Sequence, residues 1–219
     1  MNQISRESLG NTIYDRVSQD LVRGKLRPNE RITIRGLAAA LGTSSTPVRD
    51  AVQRLLQDEA LVQRSLRDVR VPVPSAAQYL EIASIRRELE GLAAARAAEV
   101  ATPRDVARMV RLTARNEEAI AAARWTQAAE FNQQFHFALA EIAGMPVLLG
   151  VLSRLWLRMG PLIAGYYSGA EVDMIHQHHA LIAAFKARDA SAARLAIYND
   201  IDESREGIVA YIDSFGAGP

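Results

Sequence analysis

Residues 34–55, IRGLAAALGTSSTPVRDAVQRL, decide the fold. Ile34, Leu37, Ala38 and Leu41 recur at helical spacing and Gly42 follows as a C-cap, so the spacing predicts a short helix over 34–41. Thr43, Ser44 and Ser45 then offer capping oxygens and Pro47 suits a first helical turn. Val48, Ala51, Val52 and Leu55 make the inward stripe of a second helix. Upstream, Leu9, Ile13, Val17, Leu21 and Val22 predict a helix over 8–24, stopped before Arg27-Pro28-Asn29. Downstream, residues 61–64 and 69–73 read as two short strands joined by the charged tip Ser65-Leu66-Arg67-Asp68. Helix, helix, tight turn, helix and hairpin is the order of a winged helix-turn-helix, whose last helix lies in the major groove of DNA. Pro72 and Pro74 close the region and mark a linker over 71–75.

From Ser75 onward the pattern is helical, with segments at 76–100, 103–123, 126–143, 146–168, 172–187 and 190–213. The breaks are Thr102-Pro103, Gly144-Met145-Pro146, Gly169 and Arg188-Asp189. Six antiparallel helices with short connections predict an all-helical bundle. The expected chain is therefore mainly α, divided into a DNA-binding domain over 1–74 and an effector-binding and dimerisation domain over 75–219. At 219 residues, 49% hydrophobic and 23% charged, the chain can bury a real core in each part. With no cysteine, disulfides, thiolate catalysis and cysteine metal sites are excluded. No apolar run reaches the roughly 20 residues of a membrane span, and the opening residues MNQISRESLG lack a secretory pattern. A cytoplasmic protein without a membrane partner is expected. Residues 1–74 carry 12 Lys and Arg against 8 Asp and Glu, whereas 75–219 carry 14 against 17. A basic head on a mildly acidic body suits nucleic-acid binding by the head alone.

The outer face of the second helix in the opening stretch carries Ser45, Thr46, Arg49 and Gln53, with Asp50 beside them. Arg49 can donate a bidentate fork to guanine O6 and N7. Ser44, Ser45 and Thr46 sit at the helix N-terminus, where hydroxyls and backbone N–H groups suit phosphate oxygens. Arg35 can reach the backbone or a base edge, and Arg64, Arg67 and Arg70 in the wing suit phosphate or minor-groove contacts.

The stretch IYDRVSQDLVRGKLRPNERITIRGLAAALGTSSTPVRDAVQRLLQDEALV, residues 13–62, resembles the DNA-binding domain of the GntR family. It keeps Arg35, Leu37-Ala38, Leu41-Gly42, Ser44, Pro47-Val48-Arg49 and Leu55 of that pattern. It departs at Asn29 and at Glu59-Ala60, where glycine is usual, and at Asp68, where the wing tip usually has glycine. An acid at the wing tip would repel phosphate, which weakens the wing contacts relative to the helix contacts.

Residues 81–102, EIASIRRELEGLAAARAAEVAT, resemble the opening helix of the FadR-like FCD effector domain. The resemblance implies a homodimer, a helical bundle and a pocket for a small organic acid, frequently built over a divalent metal. Spacing supports such a metal site. Asn132 and His136 are four apart on one helix, while His178 lies 11 residues before Asp189 and Asp200 lies 11 after it. If the chain reverses at Arg188-Asp189, His178 and Asp200 stand at matching heights on antiparallel helices. The family's ligand set matches at Asn132, His136 and His178 and departs at Asp200, where histidine is usual. One amide oxygen, two imidazoles and one carboxylate suit Zn²⁺, Ni²⁺ or Mn²⁺. His176 and His179 are bystanders in this scheme.

Arg86 falls on the arginine of the family's LR..LE pattern and is either an effector carboxylate clamp or an i,i+4 partner of Glu90. Trp156, Arg158, Tyr166 and Tyr167 are core or pocket residues. The expected function is a DNA-binding transcription regulator, a repressor released from an inverted-repeat operator by a small carboxylate effector. The alternatives are a metal-dependent hydrolase carrying a DNA-binding head, and a structural DNA-binding protein with no ligand pocket. No Gly-rich phosphate loop, nucleophile elbow or HExxH motif supports an enzyme.

Overall fold

The computed structural model describes residues 6–168 and 175–216. The chain begins with α1 (Arg6–Val22), β1 (Arg31–Ile32), α2 (Ile34–Ala40), α3 (Ser45–Gln57), β2 (Val62–Ser65) and β3 (Asp68–Arg70). Thr33 caps α2, its hydroxyl accepting from Gly36 N at 3.0 Å. Ser44 holds the N-cap position of α3 in extended backbone, but its side chain makes no capping bond. Val48, Ala51, Val52 and Leu55 are buried, as the stripe requires, against Ile13, Val17 and Leu21 of α1. The wing is a three-stranded antiparallel sheet in the order β1-β3-β2, with Arg31 opposite Arg70 and Val62 opposite Arg70 from the other side. Its first strand was not expected, because two residues carry no readable alternation.

An extended segment leads to the helical body: α4 (Ala76–Val100), α5 (Pro103–Ala121), α6 (Trp125–Ile142), α7 (Pro146–Tyr167), α8 (His176–Ala187), α9 (Ala190–Glu203) and α10 (Arg205–Ser214). Capping boxes start α4 at Ser75 with Gln78, and α5 at Thr102 with Asp105. Arg188 turns left-handed at φ 55° and Asp189 then caps α9 by accepting from Ala192 N, so the chain reverses there. The segment expected over 190–213 is two helices, broken at Ser204. The Gly169 break and residues 172–174 of the expected 172–187 helix lie outside the described residues.

The mainly-α class with an N-terminal winged helix-turn-helix and a C-terminal helical bundle is what the structure shows. Helix α7 has the length and mean hydropathy of a membrane span, although Arg154 and Arg158 interrupt its apolar run. Half of its residues are buried inside the bundle, where it packs as a core helix around Leu152, Trp156 and Leu162. It also seats the head. A Cβ on Gly160 would come within 2.8 Å of the Val22 Cα, so only glycine lets the end of α1 lie on α7 this closely. Two ion pairs flank that seat, Arg23 with Glu130 at 2.8 Å and Arg158 with Glu59 at 3.0 Å.

Candidate functional site

Two polar regions stand out. The first is the outer face of the helix-turn-helix. Arg35, Ser44, Ser45, Thr46, Arg49, Gln53 and Arg67 are all exposed, while Pro47 and Val48 between them are buried. Exposed polar groups on one side of α3 and apolar groups on the other follow from its 3.6-residue period. The wing differs in detail from the expectation. Asp68 is neutralised inside the sheet, where Arg70 Nε donates to it at 2.9 Å and Arg31 lies 3.8 Å away. Arg70 Nη1 also donates to the Asn29 carbonyl at 3.1 Å, which ties Arg70 into the wing, while Arg64 and Arg67 remain exposed. Asn29 and Glu59 both have positive φ, 64° and 56°, which explains why glycine suits those two positions in the family pattern.

The second region is buried at the centre of the body. Tyr79, Ile82, Ala83, Ala93, Ala94 and Ala97 make the inward stripe of α4, and the charged pair Arg86 and Glu90 sits in the middle of it. Arg86 Nε donates to Glu90 Oε1 at 2.5 Å, and its guanidinium lies 4.4 Å from the centre of the Trp156 ring. Arg86 Nη1 reaches Met159 Sδ at 3.4 Å. Glu90 Oε2 meets His136 Nδ1 at 2.5 Å. Burial alone would raise the Glu90 carboxyl, but the Arg86 and His136 charges outweigh it and hold Glu90 at about 2.

Beyond His136 the structure brings three donors together. The ligand atoms of His136, His178 and Asp200 all lie within 4.8 Å of one another. His136 Nε2 is 3.3 Å from Asp200, and His178 Nε2 is 3.5 Å from the other carboxylate oxygen. The reversal at Arg188-Asp189 thus sets α8 and α9 side by side with His178 and Asp200 level, as the matched spacing of 11 residues requires. His178 is fully buried, stacks on Phe135 at 3.7 Å, and neither of its ring nitrogens has a hydrogen-bond partner among the described residues. Desolvation, with the neighbouring His136 and His179 charges, pushes its pKa well below the usual value, which keeps the ring neutral. Burial raises Asp200 to about 6. Asn132 is buried one turn before His136 on α6. His176 and His179 lie at the surface, paired with Glu203 and Glu117.

Such a cluster can hold a metal ion, since it offers two imidazoles and a carboxylate within one coordination sphere's reach. The bond between Glu90 and His136 was not read from the sequence, where Glu90 entered only as a partner of Arg86. Its signal was a charged pair interrupting an otherwise apolar stripe. Of the two readings of Arg86, the structure shows the i,i+4 pair with Glu90, buried in the body rather than on the helix surface.

A winged helix-turn-helix head joined to a helical body is the architecture of a DNA-binding regulator. Comparison with known proteins makes this specific. Residues 9–71 match the bacterial regulatory proteins of the gntR family, and residues 81–203 match the FCD domain. The chain is 34% identical over 191 residues to the HTH-type transcriptional regulator McbR of Escherichia coli K12, covering 85% of this chain and 86% of that protein. The solved structure of E. coli McbR/YncC superposes with a TM-score of 0.84 at 32% identity, covering 95% of this chain and 99% of the other. A structure from Rhodococcus sp. RHA1 shares the fold, with a TM-score of 0.77 at 22% identity over 96% of this chain and 99% of the other. The chain belongs to the GntR family, in its FCD branch, and is a transcriptional regulator rather than an enzyme.

Proposed function

We propose that this regulator is a metal-containing, ligand-responsive repressor. Two copies hold an inverted-repeat operator in the cytoplasm, each through α3, and release it when a small carboxylate enters the body. The division at 74/75 separates the part that reads DNA from the part that binds the effector and the second copy. Ser44, Ser45, Thr46 and Arg35 position the head on the phosphates. Arg49 and Gln53 meet base edges, and Arg67 reaches from the wing.

The observation that carries the effector half is the convergence of His136, His178 and Asp200 in a buried space. An imidazole with two unsatisfied ring nitrogens in a protein interior is costly unless something binds it. The donor set fits Zn²⁺, Ni²⁺ or Mn²⁺, with Asn132 as a fourth protein ligand. A divalent ion held there supplies an electrophilic anchor for an anionic oxygen of the effector. Glu90, bonded to His136 Nδ1, leaves the Nε2 lone pair facing His178 and Asp200. Arg86 acts through Glu90 and so positions the cluster; it is not a free clamp.

Elemental analysis of the purified protein tests this, with about one ion per chain expected in the wild type and almost none in His136→Ala or His178→Ala. Equal metal content in all three proteins would remove the site. A promoter fragment that releases the protein on addition of a small acid, in a gel-shift titration, would support repression relieved by ligand.

A further inference from the structure

The wing carries an apolar group where the fold has no use for one. Strands β2 and β3 are joined by a two-residue turn, Leu66-Arg67, between the paired residues Ser65 and Asp68. Leu66 is 96% exposed, the most exposed of the large apolar side chains among the described residues. The turn around it is held by polar bonds. Arg31 Nη2 donates to the Arg67 carbonyl at 2.8 Å, and the Arg67 amide donates to Ser65 Oγ at 3.4 Å. Asp68 accepts from Arg70 Nε with both oxygens, at 2.9 and 3.2 Å, and Arg70 Nη1 donates to the Asn29 carbonyl at 3.1 Å. The wing is thus tied together at its base, and burial of Leu66 plays no part in holding it.

A single apolar side chain in water is ordinary on a protein surface. This one differs in its setting. It stands at the tip of the module that carries α3, between Arg64 and Arg67, both exposed. Asp68, the acid beside the tip, is answered by Arg70 and Arg31. The cations that remain exposed draw the tip toward the negative potential of the minor groove, which is strongest where that groove is narrow. The minor groove is about 6 Å wide. A two-stranded ribbon, with strands about 4.8 Å apart and side chains on both flanks, is too broad to enter it. The side chains of its turn are not. Leucine offers base edges neither a donor nor an acceptor. What it can do in the groove is push between stacked bases, and apolar side chains that do so unstack a base step and kink the duplex.

We propose that Leu66 is an apolar wedge that enters the minor groove beside the bases read by α3, partly unstacks one base step and bends the operator. Arg64 and Arg67 hold the tip against the flanking phosphates. The wedge makes Leu66 a specificity-determining residue, because flexible pyrimidine–purine steps, TA and CA/TG, yield to it most readily. This rests on the reading of α3 in the major groove.

The test uses the full chain and short duplexes that the wild type selects from a random pool. Dyes at the duplex ends report bending by energy transfer, and 2-aminopurine placed at single steps brightens on unstacking. The wild type is expected to enrich a pyrimidine–purine step at a fixed distance from the bases read by α3. On binding it should shorten the end-to-end distance and brighten 2-aminopurine at that step. Leu66→Ala and Leu66→Ser are expected to lose all three signals at an unchanged urea midpoint, whereas Leu66→Met keeps them. Variants that still bend and brighten the duplex, or a wild type that binds it unbent and dark, would overturn the inference and leave the reading of α3 intact. A lower urea midpoint in both variants would also overturn it, by making Leu66 a folding residue. So would a changed oligomeric state in size exclusion with the bend kept, which makes Leu66 a protein contact. No duplex enriched by the wild type would sink the reading of α3, and the inference with it.

Discussion

The outer face of α3 and the centre of the bundle are both polar, yet they are built under opposite constraints. On α3 every polar group faces water, so residue type and helical period settle which side is presented to DNA. Solvation there costs little, and serine, threonine, arginine and glutamine can be exchanged without disturbing the fold. In the bundle the charged groups are removed from water, where an unpaired charge is costly, and Arg86, Glu90, His136 and Asp200 form a connected chain. A surface site is specified by what it presents, an interior site by what it must neutralise.

The largest effect that contrast predicts is at Arg86. Arg86→Met leaves the Glu90 carboxylate buried with its main counter-charge gone, and should lower stability by about 3–5 kcal/mol, read as a falling urea midpoint. A loss as small as that of a surface substitution would break the contrast. On the exposed side, Arg49→Ala should leave the fold unchanged. It should weaken operator binding by about 1–3 kcal/mol, roughly fivefold to 150-fold in a gel-shift titration. Unaltered operator affinity would end the assignment of α3 as the reading helix.

Acidity separates the regions further. The folded protein holds a proton on Asp200 up to about pH 6 because burial disfavours its charge, so that proton competes with any cation as pH falls through 6. Metal affinity should drop about tenfold per unit below that point, measured by competition with a chromophoric chelator, while the neutral His178 adds little competition. A flat profile between pH 5 and 7 would count against Asp200 as a ligand. The smallest expected effect is at Glu59, held at φ 56° and exposed. Glu59→Gly relieves the left-handed strain but gives up an exposed ion pair with Arg158. A net gain of roughly 0.5–1 kcal/mol is expected in chemical unfolding.

Much of this was legible in the sequence because it rests on period and punctuation. The stripe in α3, the break at Thr102-Pro103 and the paired spacing around Asp189 each follow from local rules. Two-residue β1 has no period to read, and the break at Ser204 uses neither glycine nor proline. Glu90 was invisible as a partner of His136, because the two are 46 residues apart and only the packing of α4 on α6 joins them. The neutralisation of Asp68 depends likewise on cross-strand and local geometry that charge counting misses.

Gly160 carries a mechanical consequence. One helical turn of α7 separates Trp156, which stacks on the interior arginine, from the residue against which the backbone of α1 rests. With no side chain between them there is no compliant layer to absorb a shift. A tilt of α7 would therefore reach the amino-terminal module directly, as a displacement of its base.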